Sequence, residues 1–221
     1  MANPHRYGFR FRKNRWGGDV PEIHTGTLAN GYTPNVTGAT TCNLNIGDPV
    51  RRLNSGHFAL VEPGELDDDD ANERVYGIVA GFPQVLIGGG VRPNAFYPTN
   101  TVYGTNLQNQ TILQIIPAEG CLWEIDTATT SASFDTLAEY QAVFGSVCSF
   151  SYTQINSTTS NPKANPMAVL SFVESTEVRQ LRVEGLGAGA SQYDLTLANV
   201  PLLVSFNQVQ ASPWRITGNQ E

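Results

Sequence analysis

Residue types that catalyse reactions or bind metals are few in this chain, and their spacing matches no catalytic motif. The three histidines, His5, His24 and His57, have no carboxylate, serine or cysteine at a recognisable catalytic spacing. The three cysteines form neither a Cys-x-x-Cys pair nor a Cys/His ligand pattern, which argues against a zinc site and a disulfide scaffold. Because catalysis needs a positioned acid, base or nucleophile, we predict a non-enzymatic protein with no catalytic residues, metal or cofactor.

A glycine-rich segment, Gly185–Ala190, fits the spacing of a dinucleotide-binding fingerprint. Such a site requires a helix directly after the glycines, so that the helix N-terminus faces the pyrophosphate. Residues 191–196 instead have the pattern of a turn followed by a strand. We therefore expect Gly185–Ala190 to form a flexible turn.

An acidic run, Asp67–Asp70, is the sequence feature closest to a calcium-binding loop. An EF-hand loop beginning at Asp68 would need glycine at its sixth position and glutamate at its twelfth, where Glu73 and Val79 stand. We expect a hydrated surface loop here, with a looser cation site as the alternative.

The N-terminal segment is the most distinctive part of the sequence. Its first sixteen residues contain five basic and no acidic side chains, whereas the whole chain has a net charge of -7. A nucleic-acid-binding protein should have a basic body as well, so we expect this segment to contact an acidic protein surface; a disordered tail is the alternative. Arginine and aromatic side chains dominate interface energetics. The candidate protein-binding residues are therefore Arg6, Tyr7, Phe9, Arg10, Phe11, Arg12, Lys13, Arg15 and Trp16.

These side chains must be positioned by a body whose pattern is that of short strands separated by turn residues. Apolar and polar residues alternate with period two, for example around Cys148, Phe150 and Tyr152, as in half-buried antiparallel strands. The predicted strands are Leu44–Val50, His57–Glu62, Val75–Phe82, Gln84–Ile87, Thr111–Pro117, Leu122–Asp126, Val147–Thr153, Met167–Val173, Val178–Val183, Asp194–Leu197 and Leu202–Val209. The expected fold class is all-β and mainly antiparallel, a β-sandwich, jelly roll or β-barrel.

One short helix is predicted within this β-rich body. Helical spacing relates Phe134, Leu137, Tyr140 (or Gln141) and Phe144. Thr136 and Glu139 have the spacing of a capping box, and Gly145 is the expected stop.

The predicted domain organisation has three parts. Residues 1–19 form an extended basic-aromatic arm, 20–43 an extended linker, and 44–221 the β-rich body. Two subdomains that divide near residues 88–109 are the alternative to a single body. No apolar run is long enough to span a membrane, and we expect a soluble protein made in a cytoplasm.

A family resemblance rests on four stretches of the sequence: Ile46–Val50, Val75–Phe82, Ile115–Asp126 and Val200–Gln210. Together they resemble the head decoration, or cement, proteins of tailed bacteriophages. Ile46-Gly47-Asp48-Pro49-Val50 is followed by Val75–Phe82, as in short capsid-binding β-domains. Ile115–Asp126 is similar to the "apolar strand, Pro, turn, Trp-Glu-Ile" hairpin of phage structural proteins. The end of the chain, Val200–Gln210 with Pro213-Trp214 after it, has the form of the terminal strand of that family.

The resemblance implies a β-barrel or β-sandwich on the exterior of the capsid, assembled as a trimer, with no catalytic residues. The expected partner is the major capsid protein of a tailed phage, with no direct nucleic-acid contact and no membrane. The virion protein would be made in the host bacterial cytoplasm and would stabilise the capsid by bridging shell subunits. With the arm gripping the shell, deletion of residues 1–16 is expected to weaken shell binding and leave the fold intact.

Two other functions fit the same sequence. One is another virion component, such as a tail or baseplate β-module. The other is a carbohydrate-binding module or glycan-cleaving enzyme, in which Trp123 and Trp214 would stack on sugars and Glu119, Glu124 and Asp126 would be the candidate acids. Glu124 and Asp126 share one strand face, and an exposed polar face is the simpler interpretation of that pair.

Overall fold

In the residues that it describes, the computed structural model contains antiparallel sheets and one short α-helix, which confirms the all-β, mainly antiparallel fold class. The choice among sandwich, jelly roll and barrel stays a prediction. No helix among the described residues is both long and apolar enough to cross a membrane. The structure describes residues 8–15, 17–27, 44–61, 74–87, 90–94, 96–97, 112–127, 136–154, 164–169, 180–197, 199–207 and 209.

The first sheet has six strands in the order β1-β10-β14-β13-β11-β12, and all of its pairs are antiparallel. Its strands are β1 (Arg10–Asn14), β10 (Cys121–Asp126), β11 (Val147–Gln154), β12 (Ala164–Val169), β13 (Leu181–Leu186) and β14 (Pro201–Phe206). The N-terminal strand β1 therefore lies at one edge of this sheet, beside β10.

The second sheet has the order β2-β9-β6-β4-β5, with β7 paired to β6, and a separate pair joins β3 to β8. Its strands are β2 (His24–Thr27), β4 (Pro49–Arg52), β5 (Phe58–Leu60), β6 (Gly77–Ile87), β7 (Gly90–Asn94) and β9 (Ile112–Pro117); the small pair is β3 (Leu44–Asn45) and β8 (Phe96–Tyr97). One hydrophobic core combines buried side chains of both large sheets.

The strands β1 and β2 correct the predicted domain organisation. They fall inside the predicted arm and linker, yet β1 pairs with β10 and β2 pairs with β9. Residues 10–14 and 24–27 are thus parts of the body. The prediction missed them because the strands that they pair with are distant in the sequence.

Two other strand predictions also need correction. Residues 194–197 form a turn, in which the Asp194 carboxylate accepts hydrogen bonds from the backbone N–H and hydroxyl of Thr196. The stretch Ile115–Asp126 contains two strands, as expected, but they do not form a hairpin. β9 belongs to the second sheet and β10 to the first, so the turn between them connects the two sheets.

The predicted helix is confirmed as α1, Leu137–Ala142. The Thr136 side chain accepts from the Glu139 backbone N–H, and the Glu139 carboxylate accepts from the Thr136 backbone N–H, which completes the capping box. Of the predicted apolar stripe only Tyr140 is buried: Leu137 is 49% and Phe144 39% exposed. Phe134 lies outside the described residues. The helix therefore leaves apolar side chains at the surface.

Gly26 in β2 packs closely against a side chain of β5, the strand at the opposite edge of the second sheet. A methyl group at this position would overlap Cδ2 and Cε2 of Phe58, on β5 at the far side of the sheet. We expect Gly26→Ala to lower the free energy of unfolding by about 1–3 kcal/mol, because the Phe58 ring must move. Denaturant unfolding measures this loss. Gly185→Ala is the matched control, since its added methyl group would meet nothing within 4 Å; equal losses for both variants would contradict the packing.

Candidate protein-binding surface

The predicted protein-binding residues that the structure describes lie on or beside β1. Phe9 precedes the strand, Arg10, Phe11, Arg12 and Lys13 form most of it, and Arg15 follows it. Arg6, Tyr7 and Trp16 lie outside the described residues. The question for this surface is how many of these side chains remain available to a partner.

The aromatic side chains of β1 face the core. Phe9 is buried, with its ring centroid 5.7 Å from that of Phe150 and 5.0 Å from that of Phe206. Phe11 lies directly opposite Trp123 in the strand register, with ring centroids 5.9 Å apart in an edge-on arrangement. These contacts have the geometry of favourable aromatic pairs. The two aromatic residues therefore hold β1 against the body.

The arginines of β1 lie on the opposite face and bind two carboxylates of β10. The Arg10 guanidinium donates to Glu124 Oε1 at 2.9 Å and to Asp126 Oδ1 at 2.6 Å, so it bridges both acids. Arg12 donates to Glu124 Oε2 from Nε at 2.9 Å and from Nη2 at 2.5 Å. Further along, Arg15 bonds to Glu184 and to the Ser205 hydroxyl. Three of the basic residues predicted to bind a partner are therefore neutralised within the chain.

The expectation of an exposed polar face on β10 is wrong. Glu124 is 0% and Asp126 1% exposed. Alternation along β10 sends Cys121, Trp123 and Ile125 into the core and the two acids to the other face, where β1 and a neighbouring loop cover them. Buried carboxylates are costly unless they are paired and hydrogen-bonded, and the arginines of β1 satisfy that requirement.

The covering loop is the middle of the glycine-rich segment, residues 187–189. The predicted turn over Gly185–Ala190 is too long, because Gly185 and Leu186 are the last residues of β13 and Ala190 begins a 3₁₀ helix. The Ala188 backbone N–H donates to Glu124 Oε2 at 2.9 Å, and the Gly187 N–H donates to the Pro201 carbonyl at 2.7 Å. A methyl group at Gly187 would come within 2.7 Å of that carboxylate oxygen and 2.8 Å of Pro201 Cβ. Only a three-residue 3₁₀ helix follows, Ala190–Gln192. The glycine thus permits close approach to a carboxylate of the same chain, and the geometry of a dinucleotide site is missing from this segment.

The ion cluster makes stability depend on pH. Burial alone would raise the pKa of Glu124, but hydrogen bonds from Arg12 and Arg10, the charge of Arg10 and the Ala188 N–H together hold it below its usual 4.5. A carboxylate with a lowered pKa contributes stability above its unfolded-state pKa and loses it as the pH falls through the folded-state pKa. We therefore expect the free energy of unfolding to decrease as the pH falls below about 5.

The variant Glu124→Gln isolates this contribution, because a neutral amide cannot titrate. The measured quantity is the wild-type minus variant unfolding free energy, which should shrink as the pH falls. Taking the difference is necessary because burial raises the pKa of Asp48, which adds a pH dependence of opposite sign. Glu119→Gln is the control substitution. A difference between wild type and Glu124→Gln that stays constant from neutral pH to the acid transition would refute the assignment.

A second cluster lines a cleft of about 460 Å3 between β2 and the β4–β5 hairpin. His24 Nε2 lies 2.8 Å from the Glu22 carboxylate and Nδ1 lies 2.7 Å from the Tyr76 hydroxyl. Since the carboxylate can only accept, neutral His24 carries its proton on Nε2 and accepts from Tyr76. The Thr27 hydroxyl likewise bonds His57 Nδ1 at 2.7 Å. The polar groups satisfy one another, so these bonds fix β2 in place.

Sequence reasoning missed this cluster because Tyr76 is 52 residues from His24. Spacing along one chain cannot reveal such a pair. In the part of the chain that the structure describes, no group of three or more His, Cys, Asp or Glu residues could hold a metal ion. The acidic run Asp67–Asp70 lies outside the described residues.

The apolar side chains that reach the surface are candidates for partner contacts. Val20 is 82% and Ile23 54% exposed, both in the segment between β1 and β2. Leu137 and Phe144 are exposed at the two ends of α1, and Ile46 on the turn before β4. Trp123, a candidate for sugar stacking, is buried in the core, and Trp214 lies outside the described residues. A sugar-stacking role for Trp123 is therefore excluded by its burial.

Comparison with known proteins provides no relative. No protein-family model, curated protein or solved structure matches the chain.

Proposed function

We propose that this chain is a structural virion protein that binds the outer surface of a tailed-phage capsid and stabilises it by bridging shell subunits. The observation that carries the proposal is a pair of exposed apolar side chains at the two ends of α1: Leu137 is its first residue, and Phe144 lies two residues after its last. An exposed apolar side chain gains free energy when a protein partner buries it, and a rigid aromatic side chain is a common anchor of an interface. The resemblance of the sequence to decoration proteins supports the same role.

We assign the shell contact to α1 instead of to the N-terminal residues expected from the sequence. Phe9, Arg10, Phe11 and Arg12 are occupied by contacts to the body, so a shell-binding role would require them to leave it. α1 is anchored by buried Tyr140 and by its capping box, and it can present Leu137 and Phe144 without any such rearrangement. Arg6, Tyr7 and Trp16 remain predicted contacts.

The pairing of the N-terminal arginines with carboxylates of the chain also bears on the alternative functions. Arg10, Arg12 and Arg15 are paired with carboxylates of the chain, which leaves a weaker basic patch for nucleic acid than the sequence suggests. The burial of Trp123 weakens the carbohydrate-binding alternative. A tail or baseplate module stays open, and it differs from a decoration protein in copy number.

The mechanism we propose is multivalent. Packaged DNA pushes outward on the shell, and a protein that bridges neighbouring subunits adds contacts that must break before the shell opens. Individually modest contacts suffice, because linked contacts act at high effective concentration. A closed trimer on the capsid exterior would let one unit hold three neighbours.

Two measurements test this function. Purified parent particles should contain the chain in numbers comparable to the shell protein, by quantitative mass spectrometry; a few copies indicate a tail component, and absence overturns the proposal. Purified chain should also bind particles that lack it. We expect Leu137→Asp with Phe144→Asp to weaken that binding at least about tenfold, the effect of removing an interface anchor. Asn54→Asp with Ser55→Asp, which adds the same charges at two exposed positions between β4 and β5, is the control pair, and equal binding by all three proteins would refute the assigned surface.

A further inference from the structure

The strand β1 occupies the body as a peptide ligand occupies its receptor. Each side chain along it has its own counterpart: Phe9 has Phe206, Arg10 has the carboxylates of Glu124 and Asp126, and Phe11 has Trp123. Among the described strands, β1 pairs only with β10. The surface that receives it is here called the acceptor. It consists of the edge of β10 that pairs with β1, the two carboxylates of β10 and the adjoining aromatic side chains Trp123 and Phe206.

The acceptor is incomplete without a basic strand. Glu124 and Asp126 are buried beneath the arginines of β1, and carboxylates in such positions require paired guanidinium groups. Charge and aromatic spacing thus specify an occupant with alternating aromatic and arginine residues. They do not specify which copy of the chain provides it.

The linker that follows β1 is suited to reach another copy. Along residues 17–23 every residue except Pro21 is exposed, so the linker contributes little to the core. Gly17 and Gly18 have φ angles of 90° and 108°, which glycine adopts at low cost. A Cβ atom would meet nothing within 4 Å at Gly17 and only Asn14 Nδ2, at 3.8 Å, at Gly18. β1 belongs to the first sheet and β2 to the second. β1 could therefore leave its own sheet while β2 stays paired.

Exchange between copies preserves the contacts that β1 makes with the acceptor and adds new ones. The hydrogen bonds of Asn14 to Gly17, Gly18 and Val20 in the linker would be lost when the linker changes direction. Each acceptor would bind the same side chains, so the two arrangements differ mainly in the linkers. Val20 and Ile23, which are exposed in the single chain, lie on those linkers, and linkers that cross between copies can cover them. Apolar burial of this kind favours association, most strongly at the high local concentration on a surface.

We propose that β1 of one copy binds the acceptor of a second copy, so that assembled copies are linked by exchanged N-terminal strands. This goes beyond the proposed function and does not depend on a phage shell. The partner is a second copy of this chain, and the contributed residues are Phe9, Arg10, Phe11 and Arg12.

The strand register provides a direct test. Asn14 is the register partner of native Cys121, whose thiol lies 3.2 Å from the Asn14 side-chain oxygen. Asn14→Cys would thus place two thiols on facing strands, within the range for a disulfide. Light and isotope-labelled copies of this variant are mixed after unfolding, refolded together and oxidised with oxidised glutathione. Exchange predicts that roughly half of the bridges between the introduced thiol and Cys121 join a light to a heavy chain, as random pairing of copies gives. Bridges exclusively within single chains overturn the proposal.

A second measurement decides the question if the bridge does not form. Deletion of Gly17 and Gly18 shortens the linker and should shift the protein toward oligomers in light scattering, because β1 can no longer fold back easily. Val20→Asp with Ile23→Asp should shift it toward the monomer. A monomer at every concentration for both wild type and the glycine deletion overturns the proposal. Failure to bind a phage shell would contradict the proposed function but not the strand exchange, since neither of these two measurements uses a shell.

Discussion

Arg10→Ala is expected to lower the free energy of unfolding by about 3–5 kcal/mol, the usual loss when one partner of a buried ion pair is removed. The Arg10 guanidinium bridges Glu124 and Asp126, and its side chain is only 21% exposed, so solvent screens this interaction weakly. Alanine would leave both acids without that bridge. Chemical denaturation at neutral pH measures the loss.

Two comparisons make this result specific. Lys13→Ala, an exposed position of the same strand, should change stability by less than about 0.5 kcal/mol, as ordinary surface substitutions do. In a Glu124→Gln background the effect of Arg10→Ala should be smaller, because one of the two charges it compensates is gone. A loss below about 1 kcal/mol in the wild-type background would place the pair among surface salt bridges and contradict the burial argument.

The features that local sequence encodes were predicted well. The capping box of Thr136 and Glu139 depends on a spacing of three residues, and the structure contains it. The strand containing Cys148 and Phe150 shows the alternation of a half-buried strand, and both side chains are buried. Each of these features is determined within a few residues, where propensity and periodicity act.

The features that were missed depend on distant partners. Phe9, Arg10, Phe11 and Arg12 alternate as a strand should, yet charged residues near a chain end are typical of a solvated arm. Glu124, which binds both arginines, lies 114 residues after Arg10 and 112 after Arg12, and no local pattern identifies it as their partner. Asp194–Leu197 shows the reverse error, since alternation there predicted a strand, while the Asp194 side chain stabilises a turn.

The candidate site shows the same division. Its residue types were identified from sequence, because arginines interleaved with aromatics are suited to binding a protein surface. The surface that they bind is β10 of the same fold, or of a second copy in the exchange proposed above. The sequence thus identified a strand with the residue types of a ligand, but it did not identify the strand that binds it. Nothing in the sequence around Glu124 and Asp126 indicated that these two carboxylates are buried.

Deletion of residues 1–15 is expected to have the largest effect of any change considered for this chain. It removes Phe9 and Phe11 from the core and Arg10 and Arg12 from the buried acids. A large aromatic side chain lost from a core costs about 3–5 kcal/mol, and a buried ion-pair partner costs a similar amount. Since domains are stable by only about 5–15 kcal/mol, we expect the truncated chain to lose its cooperative unfolding transition.

The matched comparison is deletion of residues 1–7, which keeps Gly8 and the whole of β1. This shorter chain retains every described contact of Phe9, Arg10 and Phe11, so the stability that those contacts provide should remain. A synthetic peptide of residues 8–18 added to the longer deletion should restore the transition, and the same peptide with Arg10→Ala should do so less well. Circular dichroism during denaturation reports each case. If the chain without residues 1–15 unfolds like the full-length protein, β1 is not part of the stable body, and the N-terminal residues regain the role of an arm that is free to bind a partner.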